Sequence, residues 1–499
     1  MNWFEADKLT GRPAALYGKL REERVIWDTT DAQDLAALRR DVARIAFDMD
    51  SPDRPPAMFW SGVPWPAPGP EPSCDYQLII SIGGTKTDFA LLRLDRGQVV
   101  GLDVLSGREV QDPAEIDRVK TATQMVTPRH GPQTRSGQEM VAQMVRHLAP
   151  HVQRQRQAFE RCEAILLSWG FPHRVIRTGP KLAGGLSARV TEMTKDQAPF
   201  TESLKGEEIG QLLTAELESQ LSWSRPVAVA NDTVMALHYF LGPRRRAGHA
   251  RVGLFIVGTG TNFSAAEAYA VRPEGFISRP GEDHVPDRIT AARRLRPDER
   301  EMLFFVNYEA GGIELVETRT RFDSETQYQL ERNALAGGNA FSQQARAYLG
   351  TFVSKEVYEK VRARWSAMVK DPDAQPAGPA VSAILRSEPT ELLADFDSGG
   401  ETAAEIRLVA KAITARSALH ASLVLAAITE RTGFGTGAEG HPDLLGMEGS
   451  VWKTPGYQDL VRTYWQALLP GRKLQVDFAA EPTYNASLSG PLYLAAIHK

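Results

Sequence analysis

Two short strings carry the clearest chemical signal in the chain. Ile82 to Phe89 reads IGGTKTDF, and Ile256 to Phe263 reads IVGTGTNF. Aligned without gaps at an offset of 174 residues, Gly84, Thr85, Thr87 and Phe89 match Gly258, Thr259, Thr261 and Phe263. Glycine lets backbone approach a phosphate closely, and its bare N–H groups form an anion-binding concavity. Threonine adds a hydroxyl donor. Used as a pair, Gly83, Gly84, Thr85 and Lys86 on one side and Gly258, Thr259 and Gly260 on the other can hold a triphosphate, with Lys86 neutralising charge. Taken singly, each string also reads as an ordinary hairpin turn.

Between them lies Val227-Ala228-Val229-Ala230-Asn231-Asp232-Thr233, an apolar strand that ends in polar residues and leads into a helix. A carboxylate at the C-terminal end of such a strand sits at the cleft edge of an α/β protein. There Asp232 can take the proton of an attacking hydroxyl in phosphoryl transfer. Asn, Asp and Thr are also favoured helix N-caps, so a purely structural role fits the same residues. Further polar side chains fall at element ends. Thr194 and Lys195 follow Gly184-Gly185, Asn262 ends the second Gly/Thr turn, and Asn307 and Glu309 follow an apolar run from Met302 to Val306. Amides and carboxylates converging on a cleft are what the vicinal hydroxyls of a sugar require.

These residues need elements to place them. Asp31–Asp50 reads as an amphipathic helix, and it is the one clear helix in the first 70 residues. Five prolines between Pro64 and Pro72 mark a linker. Runs at 78–82, 87–94 and 99–105 read as an antiparallel meander around the first Gly/Thr turn. Helices near 137–150 and 206–219 alternate with strands at 164–169 and 227–230, the pattern of an α/β fold. After Asp232 come a helix, a strand at 251–257 and the second turn, so a strand–turn–strand unit is used twice. The remainder is mostly helical: a long helix at 406–429, a Gly-rich turn at 446–449, a strand at 474–478 and a terminal helix at 491–497. The stretch 370–403, rich in Pro, Ser and Asp, reads as a surface loop or insertion.

Bulk composition narrows the class. With 499 residues, two or more domains are expected. Lys plus Arg number 58 against 62 Asp plus Glu, a net charge of −4, which gives no basis for a nucleic-acid or membrane partner. The two cysteines, Cys74 and Cys162, exclude a disulfide framework, and no metal-ligand signature appears. Met1–Arg12 lacks the apolar core of a secretion signal, and no apolar run reaches the length of a membrane span. A cytoplasmic enzyme is the expectation.

Taken together, the motifs resemble the eukaryotic-type hexokinases, in order and over nearly the whole chain. Ile82–Thr87 is similar to the family's first phosphate loop, Trp169-Gly170-Phe171-Pro172 to its F-S-F-P sugar loop, and Met193-Thr194-Lys195 to its Thr-Lys sugar contact. Ala230-Asn231-Asp232-Thr233-Val234 resembles the segment of the catalytic aspartate. Gly258–Asn262 resembles the second phosphate loop, with Glu267 at the family's distance. Val306-Asn307-Tyr308-Glu309 is similar to the N-T-E sugar segment, Tyr348-Leu349-Gly350 to Y-L-G, and Gly449-Ser450-Val451-Trp452 to the G-S-V-Y by the adenosine.

The resemblance implies an actin-like ATPase fold of the ribonuclease H type, duplicated, with two domains closing on a central cleft. It places residues 1–72, the N-terminal helix and linker, with the large domain of 231–485. The small domain is 73–230 with a terminal helix at 486–499. It implies ATP and Mg²⁺ as cofactors, a hexose or similar sugar as substrate, and carbohydrate phosphorylation of the glycolytic type. Asp232 is the implied base. Thr194, Lys195, Asn231, Asn262 and Glu309 hold the sugar, and Gly446, Gly449 and Ser450 lie on the adenosine side.

The departures are specific. Ser81 stands where the family has an aspartate before G-G-T, Asp88 replaces an arginine, and Gly170 replaces the sugar-loop serine. A second sugar-binding glutamate near Phe341 or Ser342 is missing. Each lost partner in a buried sugar site costs on the order of 1–3 kcal/mol. A hexokinase-like sugar sensor with weak or no catalysis is therefore the alternative reading. A DNA-binding sugar-kinase repressor shares the I-G-G-T-K string but usually adds a helix-turn-helix.

Overall fold

The computed structural model describes residues 3–48, 60–64, 76–82, 87–95, 98–104, 108–110, 136–170, 173–177, 186–190, 202–241, 248–249, 251–258, 260–271, 287–288, 296–308, 310, 316–320, 322, 337–386, 391–437 and 440–480. The terminal helix expected at 486–499 lies outside them.

The first part of the chain runs α1 (Gly11–Glu22), α2 (Ala32–Asp48), β1 (Trp60–Pro64), β2 (Tyr76–Ile82), β3 (Thr87–Asp95), β4 (Gln98–Val104) and β5 (Arg108–Val110). It continues with α3 (Gly137–Arg154), α4 (Arg156–Glu160), β6 (Cys162–Trp169), β7 (His173–Arg177), β8 (Leu186–Val190), α5 (Ile209–Leu221) and β9 (Val227–Asn231). Next come α6 (Asp232–Leu241), β10 (Val252–Val257), β11 (Thr261–Val271), β12 (Asp287–Arg288) and β13 (Arg300–Asn307). The last part is α7 (Gly338–Phe352), α8 (Lys355–Val369), α9 (Gly378–Leu385), α10 (Glu401–Thr432), β14 (Asp443–Glu448), α11 (Tyr457–Leu468) and β15 (Val476–Ala480).

The duplication read from the two Gly/Thr strings extends to whole sheets. One sheet has the order β5-β4-β3-β2-β6-β9, the other β1-β13-β11-β10-β14-β15. In each, the strand before the Gly/Thr turn pairs antiparallel with the strand after it, β2 with β3 and β10 with β11. That same first strand pairs parallel with a later one, β2 with β6 and β10 with β14. A further parallel strand, β9 or β15, follows.

Strand alternation decides which faces are covered. Leu78, Ile80, Ile82, Ile165, Leu167 and Trp169 point to one side of the first sheet and pack with Met144, Leu148 and Leu213 of α3 and α5. In the second sheet Phe255, Val257, Phe263, Ala265 and Val306 pack against the helices led by α10. The opposite faces of both sheets meet α6. His238 stacks on Phe305 with ring centroids 4.1 Å apart. The ring of Phe240 lies over Gly446, and α6 also contacts β6 and β9. Every residue from Thr233 to Leu241 is buried.

Several expectations are corrected. The described part of the first 70 residues holds two α-helices, not one. α1 carries two glycines and a proline, which weaken its intrinsic signal, and burial of Leu16 and Leu20 secures it. A strand, β1, precedes the proline-rich linker and adds to the free edge of β13, with Trp60 opposite Val306. The stretch 370–403 is not merely a loop, since Ala380, Val381 and Ile384 of α9 are buried. Gly446 is not in a turn but inside β14, where an added Cβ would fall 2.6 Å from the Phe240 ring. Among the described residues one helix, α10, is long and apolar enough to cross a membrane, and that stretch is wholly buried within the fold. Its apolar character serves the core, in which alanines and leucines of α10 touch neighbours all round.

Two outcomes follow. Gly446→Ala lowers stability by about 1–3 kcal/mol, read as a fall in Tm, because the Phe240 ring has to shift to admit the methyl group. His238 is fully buried, and desolvation lowers its pKa from 6.5 to about 4, although its Nδ1–H donates to Val234 O at 2.7 Å. Above pH 6.5 both folded and unfolded chains hold it neutral. As pH falls toward 4 only the unfolded chain takes up the proton, so stability drops by up to about 3 kcal/mol. Denaturant titrations across this range should show that slope, and it should flatten in His238→Leu.

Candidate active site

The junction of β9 and α6 holds the candidate base. β9 is buried throughout and ends at Asn231, which is itself 3% exposed. The Thr233 N–H donates to Asn231 Oδ1 at 2.9 Å and to Asp232 Oδ1 at 2.8 Å. Asn231 thus supplies the helix cap, and Asp232, half-buried, is the first residue of the helix proper. The amide of Asn231 also reaches Trp169 O at 3.5 Å, tying β6 to this corner. Ser264 Oγ–H donates to Thr233 O at 3.0 Å and fixes the first turn of α6 to β11. A carboxylate at a helix N-terminus sits in the favourable field of the backbone dipoles.

The second Gly/Thr turn lies between β10 and β11. Val257 and Thr261 form the last ladder pair, and the Gly258 N–H donates to Gly260 O at 2.9 Å. A Cβ added at Gly260 would meet no atom within 4 Å, and one at Gly258 would make only ordinary contacts. Neither packing nor backbone angle demands these glycines, so what they provide is bare backbone. Gly449 is different. Its φ is 107°, and an added Cβ would lie 2.3 Å from Val257 O and 2.6 Å from Gly258 N. The chain after β14 is therefore pressed onto the turn. Ser450 beside it is exposed, and Trp452 anchors the segment through an Nε1–H donated to Phe255 O at 2.9 Å.

Asn262, the second residue of β11, shares with Ser264 the α6 side of the sheet. Its Oδ1 accepts from Phe263 N at 2.8 Å and from Ala310 N at 3.1 Å. The side chain thus pins the segment that leaves β13 against the Gly/Thr turn. Asn307 is fully buried and stands opposite Ser264 in the ladder.

Residues 251–497 match the sequence profile of the hexokinase family. That half of the chain belongs to the hexokinase family. Among solved structures, the Schistosoma mansoni hexokinase complexed with glucose aligns over 97% of this chain and 99% of its own, with a TM-score of 0.60 and 18% identity. A second hexokinase crystal structure aligns over the same shares with a TM-score of 0.58 and 16% identity. No curated protein matches the chain in a sequence search. The fold is the actin-like ATPase fold that the duplicated sheets expressed.

Within this hexokinase frame, Asn231, Asp232, Gly258, Gly260 and Asn262 gather where α6 meets β10 and β11, and Gly449 and Ser450 adjoin the turn. Gly446 stands apart as a packing residue of β14. Gly83, Gly84, Thr85, Lys86, Thr194, Lys195, Thr259 and Glu309 lie outside the described residues. Their brackets are placed: Ile82 pairs with Thr87 around the first turn, and Glu309 falls between Tyr308 and Ala310. Ser81 is in register with Asp88 on β3 and with Ser168 on β6. Two contributors were missed from sequence. Ser264 braces Asp232's helix from a position where serine looks like any strand residue. Ser168 is fully buried, and its hydroxyl has no hydrogen-bond partner among the described residues. Nothing in a lone serine gives either away.

Gly449→Ala has to displace Val257 or the turn itself. Nucleotide affinity should fall more than about tenfold, an effect of at least 1.4 kcal/mol, measured by calorimetry with an ATP analogue. Gly260→Ala, with open space around its Cβ, should leave the melting temperature unchanged.

Proposed function

We propose that the chain is an ATP-dependent hexokinase-type sugar kinase, moving the γ-phosphoryl group to a primary hydroxyl of a hexose or hexose-like sugar. The observation that carries this reading is Asp232 at the head of a helix buried between two copies of one sheet design, next to a turn of bare backbone. The Gly258–Gly260 turn suits the nucleotide, because its exposed N–H groups are not shielded by side chains. Asp232 and Ser81 carry oxygen, the hard donor type that Mg²⁺ takes. Bound with the nucleotide, Mg²⁺ would supply charge neutralisation on the phosphates.

The chain's own residues divide the work. Asp232 accepts the proton of the sugar hydroxyl as that oxygen attacks phosphorus, and Asn231 and Ser264 hold the helix that presents it. The amide of Asn262, with Thr194, Lys195 and Glu309, orients the sugar. Gly83, Gly84, Thr85 and Lys86 are assigned to the phosphates. The lobes divide as 73–230 with the terminal helix, and 231–485 with the N-terminal segment. Closing them excludes water, which would otherwise compete with the sugar for the phosphoryl group. Positioning and electrostatics supply most of the rate in such a transfer.

The test is ADP release by the purified protein with Mg-ATP and a panel of sugars: glucose, mannose, fructose, glucosamine and rarer hexoses. One sugar should turn over well, and Asp232→Ala should lose between about 10²- and 10⁴-fold in kcat, the usual worth of a general base. Asp232→Asn keeps the hydrogen bond from Thr233 and controls for loss of the cap. Near-normal turnover in both variants would remove Asp232 from the mechanism. Sugar binding without turnover in the native chain would instead mark a sensor.

A further inference from the structure

The segment that begins with Gly449, pressed onto the β10–β11 turn, is held at its far end by Trp3. Ser450–Lys453 forms a short 3-10 helix, the Thr454 N–H donates to Val451 O at 3.0 Å, and the segment ends at Gly456, one residue before α11. Gly456 has a φ of 75°, and an added Cβ would fall 2.2 Å from the Trp3 ring, so the indole lies directly on bare backbone. The same indole is hung from α10. Its Nε1–H donates to Lys411 O at 3.1 Å, and the Lys411 ammonium lies 5.5 Å from the ring centroid. Glu5 Oε2 stands 3.8 Å from that ammonium, and the buried Phe4 ring packs on Tyr17 of α1 with centroids 5.6 Å apart.

The middle of this segment is anchored twice, by Trp452 on Phe255 O and by Thr454 Oγ1 with Ser382 Oγ at 3.0 Å. Its last residue is a left-handed glycine, the most permissive kind of backbone. Left uncovered, Gly456 would be a hinge between the segment and α11, and the indole removes that freedom. The hold is of a releasable kind. The backbone hydrogen bonds of Glu5–Leu9 stay within that turn, Lys8 N–H to Glu5 O and Leu9 N–H to Ala6 O. Among the described residues it is therefore side chains that fasten the turn to the body. Stretches held in this way open at the low end of a protein's range of local stabilities.

We propose that Trp3 is a positioning residue for the nucleotide: seated on Gly456, it holds the Gly449–Gly456 segment against the β10–β11 turn, and its release loosens that segment and lowers the affinity for ATP. This rests on the sugar-kinase reading above, which puts ATP at that turn. Asp232 is mounted separately, by Asn231 and Ser264, so release leaves the chemical step and the affinity for sugar in place. Linkage makes the effect reciprocal. Whatever factor Trp3 contributes to nucleotide affinity, bound nucleotide returns to the seating of Trp3.

The experiment uses the full-length protein and a non-hydrolysable ATP analogue with Mg²⁺. Calorimetry gives the Kd of the analogue, and hydrogen exchange follows residues 3–9 and 449–457 with and without it. Trp3→Ala should raise Kd about fivefold, the low end of coupling between linked sites. It should speed exchange at 449–457 and, with the sugar that turns over, leave kcat and the KM for sugar within about twofold. Trp3→Phe, which keeps a ring but loses the Nε1–H, should fall between. In the native chain the analogue should slow exchange at 3–9, a response that a merely structural contact would not give. Val152→Ala, which trims a buried side chain of α3, should lower Tm without moving Kd. Native Kd in Trp3→Ala would overturn the inference and leave the kinase reading standing, and so would an equal rise of Kd in Val152→Ala. A native chain that binds no analogue would bring down both.

Discussion

The structure depends on burying one helix, α6, between two sheets. Its nine residues after Asp232 have no exposed face. On one side are the small residues of β9, on the other Phe305, Gly446 and Ser264. A helix in that place has to be apolar all round, and VMALHYFL is nearly so. Its one strongly polar interior member, His238, is held neutral by desolvation, which outweighs the opposing pull of the Val234 carbonyl. The cost is borne because such a helix cannot tilt without disturbing both sheets. A group at its N-terminus then has a fixed address between them. Asp232 occupies that address, and fixity of this kind is what the proposed proton acceptor would need.

The second constraint is the contact between Gly449 and the β10–β11 turn. Backbone meets backbone there with no room for a methyl group. β10 and β14 run parallel side by side, so their C-terminal ends open on the same edge, where α/β sheets take ligands. Pressing the two loops together joins Gly258 and Gly260 to the exposed Ser450, making one continuous surface across both loops. Trp452, donating to Phe255 O, keeps that surface from opening.

Much of this was legible in the residues. The repeated Gly/Thr string announced the duplication because each copy sits at the point where a hairpin must turn, and turn chemistry is local. VAVANDT was legible because an apolar run that stops abruptly at polar residues fits a buried strand meeting a helix. What escaped was whatever tertiary contact alone decides. α1 has poor intrinsic propensity and exists because Leu16 and Leu20 find the core. Gly446 and Gly449 read alike as turn glycines three residues apart, yet one yields to an aromatic ring and the other to a carbonyl. The role of Ser264 depends on a carbonyl 31 positions away, which no local pattern encodes.

The two asparagines show how a site of this kind is made rigid. Asn231 and Asn262 each direct the carbonyl oxygen to backbone N–H groups across a junction: strand to helix at Thr233, hairpin to loop at Ala310. An amide whose oxygen is committed in this way cannot flip without stranding buried donors, so the orientation of its NH₂ group is set as well. For Asn231 that group turns back to Trp169 O, and the residue serves chiefly to mount Asp232. For Asn262, whose two backbone partners both use the oxygen, the NH₂ is the part that the proposed sugar contact would use. One residue type thus performs two tasks, decided by which neighbour takes the oxygen. The same economy explains why a sugar site can be built on strand ends, where backbone donors left over from the ladder are abundant and fixed in direction.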